Sequence, residues 1–235
     1  MTSAQTLSGV QLALIWLAPV LLAVTMHEVA HGWMADRLGD STARDEGRLS
    51  LNPLRHIDPI GTILVPAVAL LASGVVFGWA KPVPITWTRL GSPRRDVAFV
   101  ALAGPAANLV MAVLWTVLVH VVLLNHQTLG GAARPLVFMG VAGIAVNVFV
   151  MVLNLLPLPP LDGGRITTSL LPQSLRRHFA RIEPFGLVIL VVLLVTGVLT
   201  KILIPLTNWL QFALIPLAGI RVPDYYWVLH TLTGS

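Results

Sequence analysis

Cysteine is absent from the 235 residues. This excludes disulfides and thiolate metal sites and leaves the redox compartment unread. Charge is scarce: Asp, Glu, Lys and Arg make up 11% of the chain, against about 25% in soluble domains. No polar stretch is long enough for a soluble sensor domain of ordinary size, and there is no internal repeat or low-complexity tract. A secretory signal peptide is not expected, because Met1 to Gly9 holds no Lys or Arg and the apolar run behind it leads to no cleavage site. What is there is apolar: 56% of residues are hydrophobic and the mean hydropathy is +0.83. Such a chain is an integral membrane protein with short connections. Its net charge of +5 lies in particular loops between apolar runs, which is a topology signal and not a nucleic-acid footprint.

The apolar runs are Val10–Met34, Ile60–Phe77, Val97–Leu124, Leu136–Leu156 and Phe185–Ile204, followed by an interrupted apolar tail, Pro205–Ile220. The second is short and broken by Gly61, Pro66, Ser73 and Gly74, and it ends in GWAKPVPI, which alternates like an extended strand. Arg37, Arg44, Arg48 and Arg55 follow the first run, Lys81, Arg89, Arg94 and Arg95 precede the third, and Arg165, Arg176, Arg177 and Arg181 follow the fourth. The turn between the third and fourth holds only Arg134. The positive-inside rule puts all three Arg-rich segments in the cytoplasm. Ile60–Phe77 then starts and ends on one side, as a re-entrant element whose irregular backbone lies against protein or a water cavity. The expected fold is an all-α polytopic membrane protein of five to six transmembrane helices, with that re-entrant segment and a short membrane-associated β element. It forms a single domain over 1–235, with a core at 10–165 and C-terminal helices at 185–220.

Within the first run the apolar sequence leads directly into His27-Glu28-Val29-Ala30-His31. Positions i and i+4 share a helix face, so His27 and His31 can offer two imidazole nitrogens to one metal ion. Glu28 is rotated about 100° from His27, beside the metal, where a general base for a metal-bound water belongs. The next charged residue, Asp36, lies nine positions past His27, which places His27 about 13 Å inside that end of the helix. A catalytic zinc site usually takes three protein ligands and keeps one position open. Without cysteine the third must be His, Asp or Glu. His120 and His126 fall toward the opposite membrane face, and His56, His178 and His230 are the other histidines. Asp162 is the better candidate: Pro157, Pro159 and Pro160 break the fourth helix before it and Gly163-Gly164 lets the chain turn after it. A carboxylate on unwound backbone near the membrane needs a partner, and a zinc ion supplies one. His56 and Asp58 are read as a polar turn, Asn108 as helix packing and the seven tryptophans as interfacial anchors.

HEVAH followed by RLGD, then LNPLRHIDPIGT, FGWAKPVPI, AGPAANL and NLLPLPPLDGGR in that order, resembles the site-2 protease family of intramembrane zinc metalloproteases. The likeness covers about Val20 to Arg165. It implies one zinc per chain on His27, His31 and Asp162, with Glu28 activating the water and Asn154 helping to hold substrate or the oxyanion. It implies cleavage of a transmembrane helix of another membrane protein within the bilayer, at the cytoplasmic side of a prokaryotic plasma membrane, with no nucleic-acid partner. The chain departs from larger relatives in lacking a PDZ or CBS-like insert, and its oligomeric state is not read. The element over Ile60–Phe77 and GWAKPVPI is a candidate gate or edge-strand clamp for substrate. A metal transporter with the same ligands is the competing reading; it calls for polar residues across the membrane, whereas the far halves of these helices are apolar. A catalytically dead scaffold ranks last, since the four chemical residues are present.

Overall fold

Ser8 opens the first helix with a capping box: its hydroxyl accepts from the Gln11 N–H at 3.3 Å while the Gln11 side chain accepts from the Ser8 N–H at 2.9 Å. From there α1 runs over Gly9–Arg37. Its buried residues include Ile15, Pro19, Ala23, His27, His31 and Ala35, a row at steps of four that forms one packing ridge. Its exposed positions include Val10, Leu14, Leu17, Val20 and Leu22, and the second long helix likewise exposes apolar residues, so the solvent these faces fit is lipid.

The computed structural model describes residues 7–64, 80–92 and 94–233. The other longer helices are α2 (Arg95–Leu124), α3 (Ala133–Leu155), α4 (Asp162–Leu170), α5 (Gln173–Ala180), α6 (Gly186–Val195), α7 (Val198–Leu214) and α8 (Val222–Thr233). Among the described residues four helical stretches are long and apolar enough to cross a membrane: Gly9–Arg37, Arg95–Leu124, His126–Leu155 and Val198–Ala218. The chain is an all-α polytopic membrane protein.

Helix directions follow from the residues that meet. Asn108 of α2 bonds the Ala23 carbonyl and His31 bonds the Val100 carbonyl, so α1 and α2 are antiparallel. Gly143 and Gly140 of α3 lie against Trp115 and Val119 of α2, so these two are antiparallel as well. Helices α1 and α3 therefore run in the same direction, and α3 is the most enclosed span. One core cluster joins α1, α2, α3, α6, α7 and α8 through residues such as Ile15, Val119, Ile144, Leu190, Leu203 and Tyr225. The end of α1 and the approach to α2 adjoin, since Gly91 N–H bonds the Leu38 carbonyl and Thr86 N–H bonds Asp40.

Three expectations change. The run Phe185–Ile204 is not one helix, because Gly197 adopts φ 73° and ends α6; α7 starts there and absorbs most of the expected separate tail. Among the described residues four helices are long and apolar enough to span, beside the shorter α6. No strand occurs among the described residues: at 80–86 the backbone is irregular, Pro82 and Pro84 have no donor, and the Lys81 and Val83 N–H groups go to the His56 carbonyl and the Glu28 carboxylate. Trp115 is 8% exposed and packs on Gly143 instead of anchoring at an interface. The re-entrant path expected over Ile60–Phe77 lies outside the described residues beyond Leu64.

Candidate metal centre

Small residues on α2 make room for the imidazoles of α1. At Gly104 an added Cβ would sit 2.4 Å from His31 Nε2 and 2.6 Å from His27 Cε1, so only a glycine lets the two rings lie against that helix. His27 and His31 are 5% and 7% exposed, and their Nε2 atoms are 3.0 Å apart. Asp162 arrives from the other side, at the first position of α4. The turn that delivers it is tight: a Cβ on Gly163 would meet the Leu155 and Leu156 carbonyl oxygens at 2.3 Å, and one on Gly164 the Pro159 nitrogen at 2.6 Å. Asp162 Oδ2 lies 3.1 Å from His27 Nε2 and 3.2 Å from His31 Nε2.

The outer nitrogens show what this triangle can hold. His31 Nδ1 lies 2.7 Å from the Val100 carbonyl oxygen and His27 Nδ1 lies 2.6 Å from Asn108 Oδ1. A carbonyl oxygen only accepts, so each Nδ1 carries a proton, and in the neutral imidazole each Nε2 then presents a lone pair to the centre. Asp162 brings a carboxylate oxygen to the same centre. Two lone pairs and a carboxylate oxygen facing one another out of water need a positive charge between them. Ligand atoms around a tetrahedral centre with bonds of roughly 2.0–2.1 Å are about 3.3 Å apart; the observed 3.0–3.2 Å triangle fits such an ion after a few tenths of an ångström of expansion.

Glu28 stands beside this triangle and its Oε2 accepts from the Val83 N–H at 2.9 Å. The segment carrying Val83 is fixed in turn. Lys81 N–H bonds the His56 carbonyl at 2.9 Å, and Arg48 Nη2 bonds the Lys81 and Pro82 carbonyls at 3.0 and 3.3 Å. His56 is thus a support for this segment, and Asp58 accepts from the Ile60 and Gly61 N–H groups as a turn residue. Asn154 donates to the Val150 carbonyl of its own helix at 2.9 Å, and no described contact joins it to the triangle. Sequence reasoning gives no role here to Asn108, Val100, Gly104 or Val83. Only Asn108 carries a signal, a polar side chain four positions after Gly104 in an apolar helix. Behind the Asp162 turn a cavity of about 200 Å³ is lined by Arg94, Arg165, Arg176 and Phe179 among others, and none of the three clustered residues lines it.

The family model described as Peptidase family M50 matches residues 121–197, a stretch that contains Asp162. YwhC of Bacillus subtilis, named as a candidate zinc metalloprotease, is 37% identical over 190 residues, 80% of this chain and 84% of its own length. Rip2 of Mycolicibacterium smegmatis, named in the same way, is 34% identical over 206 residues, 86% of this chain and 75% of its own. Rip2 of Mycobacterium tuberculosis is 30% identical over 191 residues, 81% of this chain and 70% of its own. No solved structure matches the chain.

Proposed function

The chain belongs to peptidase family M50, and from this membership we propose that it is a zinc-dependent endopeptidase cutting a transmembrane helix of another membrane protein within the bilayer. The observation that carries this reading is the triangle of His27, His31 and Asp162 inside a membrane-spanning bundle, three potential ligand atoms converging on one point. These three are the proposed ligands of one zinc per chain. Zinc supplies Lewis acidity toward a scissile carbonyl and an acidified water. Glu28 takes the water proton and passes it to the leaving amine. Val83 N–H holds Oε2, and among the described residues nothing bonds Oε1, so Oε1 is the oxygen assigned to that proton. Asn154 is the proposed contact for substrate or oxyanion; its amide must leave the Val150 carbonyl to serve.

Residues 1–235 act as one intramembrane domain on this reading, supported by the single large core cluster. The cytoplasmic side of a prokaryotic plasma membrane is the proposed location of the site. The Arg-rich segments after α1, before α2 and after α3 all lie at the end of the bundle that holds it. A partner helix must unwind there to offer its backbone, and the irregular segment at 80–86 beside Glu28 is the proposed surface that receives it.

The test uses purified zinc-replete protein in detergent and, for activity, liposomes with a labelled transmembrane peptide. Expected are about one zinc per chain in wild type and in Glu28→Gln, and a much lower content in Asp162→Ala. Peptide hydrolysis should fall by about 10²–10⁴-fold in Glu28→Gln. No zinc in wild type, or hydrolysis indifferent to Glu28→Gln, overturns the reading.

A further inference from the structure

The two buried asparagines in the middle of the bundle have no part in the chemistry above. Asn108 on α2 and Asn147 on α3 are both 0% exposed. Asn147 Nδ2 donates to the Gly143 carbonyl at 2.8 Å, and since that oxygen only accepts, the orientation of the Asn147 amide is fixed. Its Oδ1 therefore faces Asn108 and accepts from Asn108 Nδ2 at 3.0 Å. The same Nδ2 also donates to the Ala23 carbonyl at 3.1 Å, which uses both of its hydrogens. The one group Asn108 has left is Oδ1, and it lies 2.6 Å from His27 Nδ1. Each link has one permitted direction, and both amides are fully buried.

We propose that Asn108 is the positioning residue that fixes His27 as the Nδ1–H tautomer with Nε2 free for zinc, and that Asn147 locks Asn108 in the orientation this requires. The inference rests on the zinc peptidase reading for its purpose. It differs from the helix-packing role expected of an intramembrane asparagine, since packing does not depend on which way the amide points. It also sets the two histidines apart. The His31 tautomer is fixed by the backbone carbonyl of Val100, which no side-chain substitution removes. The His27 tautomer is fixed by the Asn108 side chain, which the Asn147 side chain and the Ala23 carbonyl together orient. A partner on the outer nitrogen of a metal-bound imidazole typically changes metal affinity by 10–100-fold.

The test reads histidine tautomers by ¹⁵N NMR on metal-free, histidine-labelled full-length protein, and zinc affinity by competition with a chelator. In wild type both His27 and His31 should show Nδ1–H. Asn108→Leu should move His27 toward Nε2–H, leave His31 unchanged and weaken zinc binding by about 10–100-fold. Asn147→Leu should weaken it by less than about tenfold, because the Ala23 carbonyl still holds Asn108. Asn147→Asp should stay near wild type, because a neutral buried carboxyl can donate to Gly143 and accept from Asn108 just as the amide does. A wild-type His27 whose Nδ1 carries no proton overturns the proposal without any variant, so it stays testable if Asn108→Leu fails to fold. Zinc affinity unchanged in a folded Asn108→Leu also overturns it, as does equal loss in Asn147→Leu and Asn147→Asp. A wild-type chain that takes up no zinc overturns the peptidase reading instead, while the His27 tautomer still reports on the relay.

Discussion

A methyl group decides whether the two imidazoles fit. Gly104→Ala would put a carbon 2.4 Å from His31 Nε2, and the ring cannot retreat without giving up the Val100 carbonyl behind it. Alanine is a better helix former than glycine by about 1 kcal/mol, so this substitution should leave α2 intact and even favour it. Zinc binding should nevertheless fall by at least about tenfold, since ligand rings tolerate little displacement. Unchanged zinc affinity in Gly104→Ala, measured beside its unfolding temperature, would show that the rings do not lie as described. Residues of this kind are hard to read in a sequence. His27 and His31 are legible because helical period alone puts them on one face, and Asp162 because prolines and glycines bracket a carboxylate that needs a partner. Gly104 and Asn108 act only through the pairing of α2 with α1, and periodicity does not say which residue of one helix faces which residue of another. Val83 acts through a backbone N–H, which every residue but proline carries.

At the level of elements, the collar at the end of the bundle that holds the site is built around Asp40. It is fully buried, accepts from the backbone N–H and the hydroxyl of Thr42, and accepts from the Thr86 N–H at 2.6 Å. It thereby ties the end of α1 to the segment that carries Val83. Burial pushes the Asp40 carboxyl up, but these hydrogen bonds and Arg89 outweigh it and hold the group below the usual carboxylate range. A lowered folded-state pKa means that this stability is fully present above the unfolded value of about 4 and is lost as pH falls through the folded value. Unfolding temperature should therefore be insensitive to Asp40 between pH 5 and 8. Asp40→Ala leaves buried donors unpaired, at a cost of about 1–3 kcal/mol, and should lower the unfolding temperature by several degrees across that whole range. Its zinc content should hold while hydrolysis drops, because the collar touches Glu28 through Val83 and not the three ligands. A variant with wild-type stability would remove Asp40 from this role. The collar also shows why the strand expectation for GWAKPVPI fails at 80–86: alternation signals extended chain, but donors spent on a carboxylate and on a turn carbonyl cannot build a ladder. The break at Gly197 has a similar cause, since an apolar composition continues through a left-handed glycine that ends the helix.

For the molecule as a whole, the parallel course of α1 and α3 is what brings a histidine pair and an aspartate from opposite ends of the core sequence to one level of the bilayer. That course is legible from the arginine distribution alone, because two spans with basic residues after each must end on the same side. How tightly the turn swings Asp162 under the bundle is not, since it depends on how closely Gly163 and Gly164 approach the end of α3. A consequence follows for stability. Zinc on the three proposed ligands would join α1 to α4 across α2, and a ligand at about 100 times its dissociation constant adds about 2.7 kcal/mol. In a chain of this size that is roughly 5–10 °C of unfolding temperature. Chelation of zinc-loaded wild type should thus lower the transition by that amount. It should also raise hydrogen exchange at the amides around Asp162, whose carboxylate then faces two lone pairs with no cation between them. Asp162→Ala should unfold at one temperature with or without chelator, because the cross-link is already absent. An equal response in both proteins would mean that the metal stabilises the bundle from somewhere else.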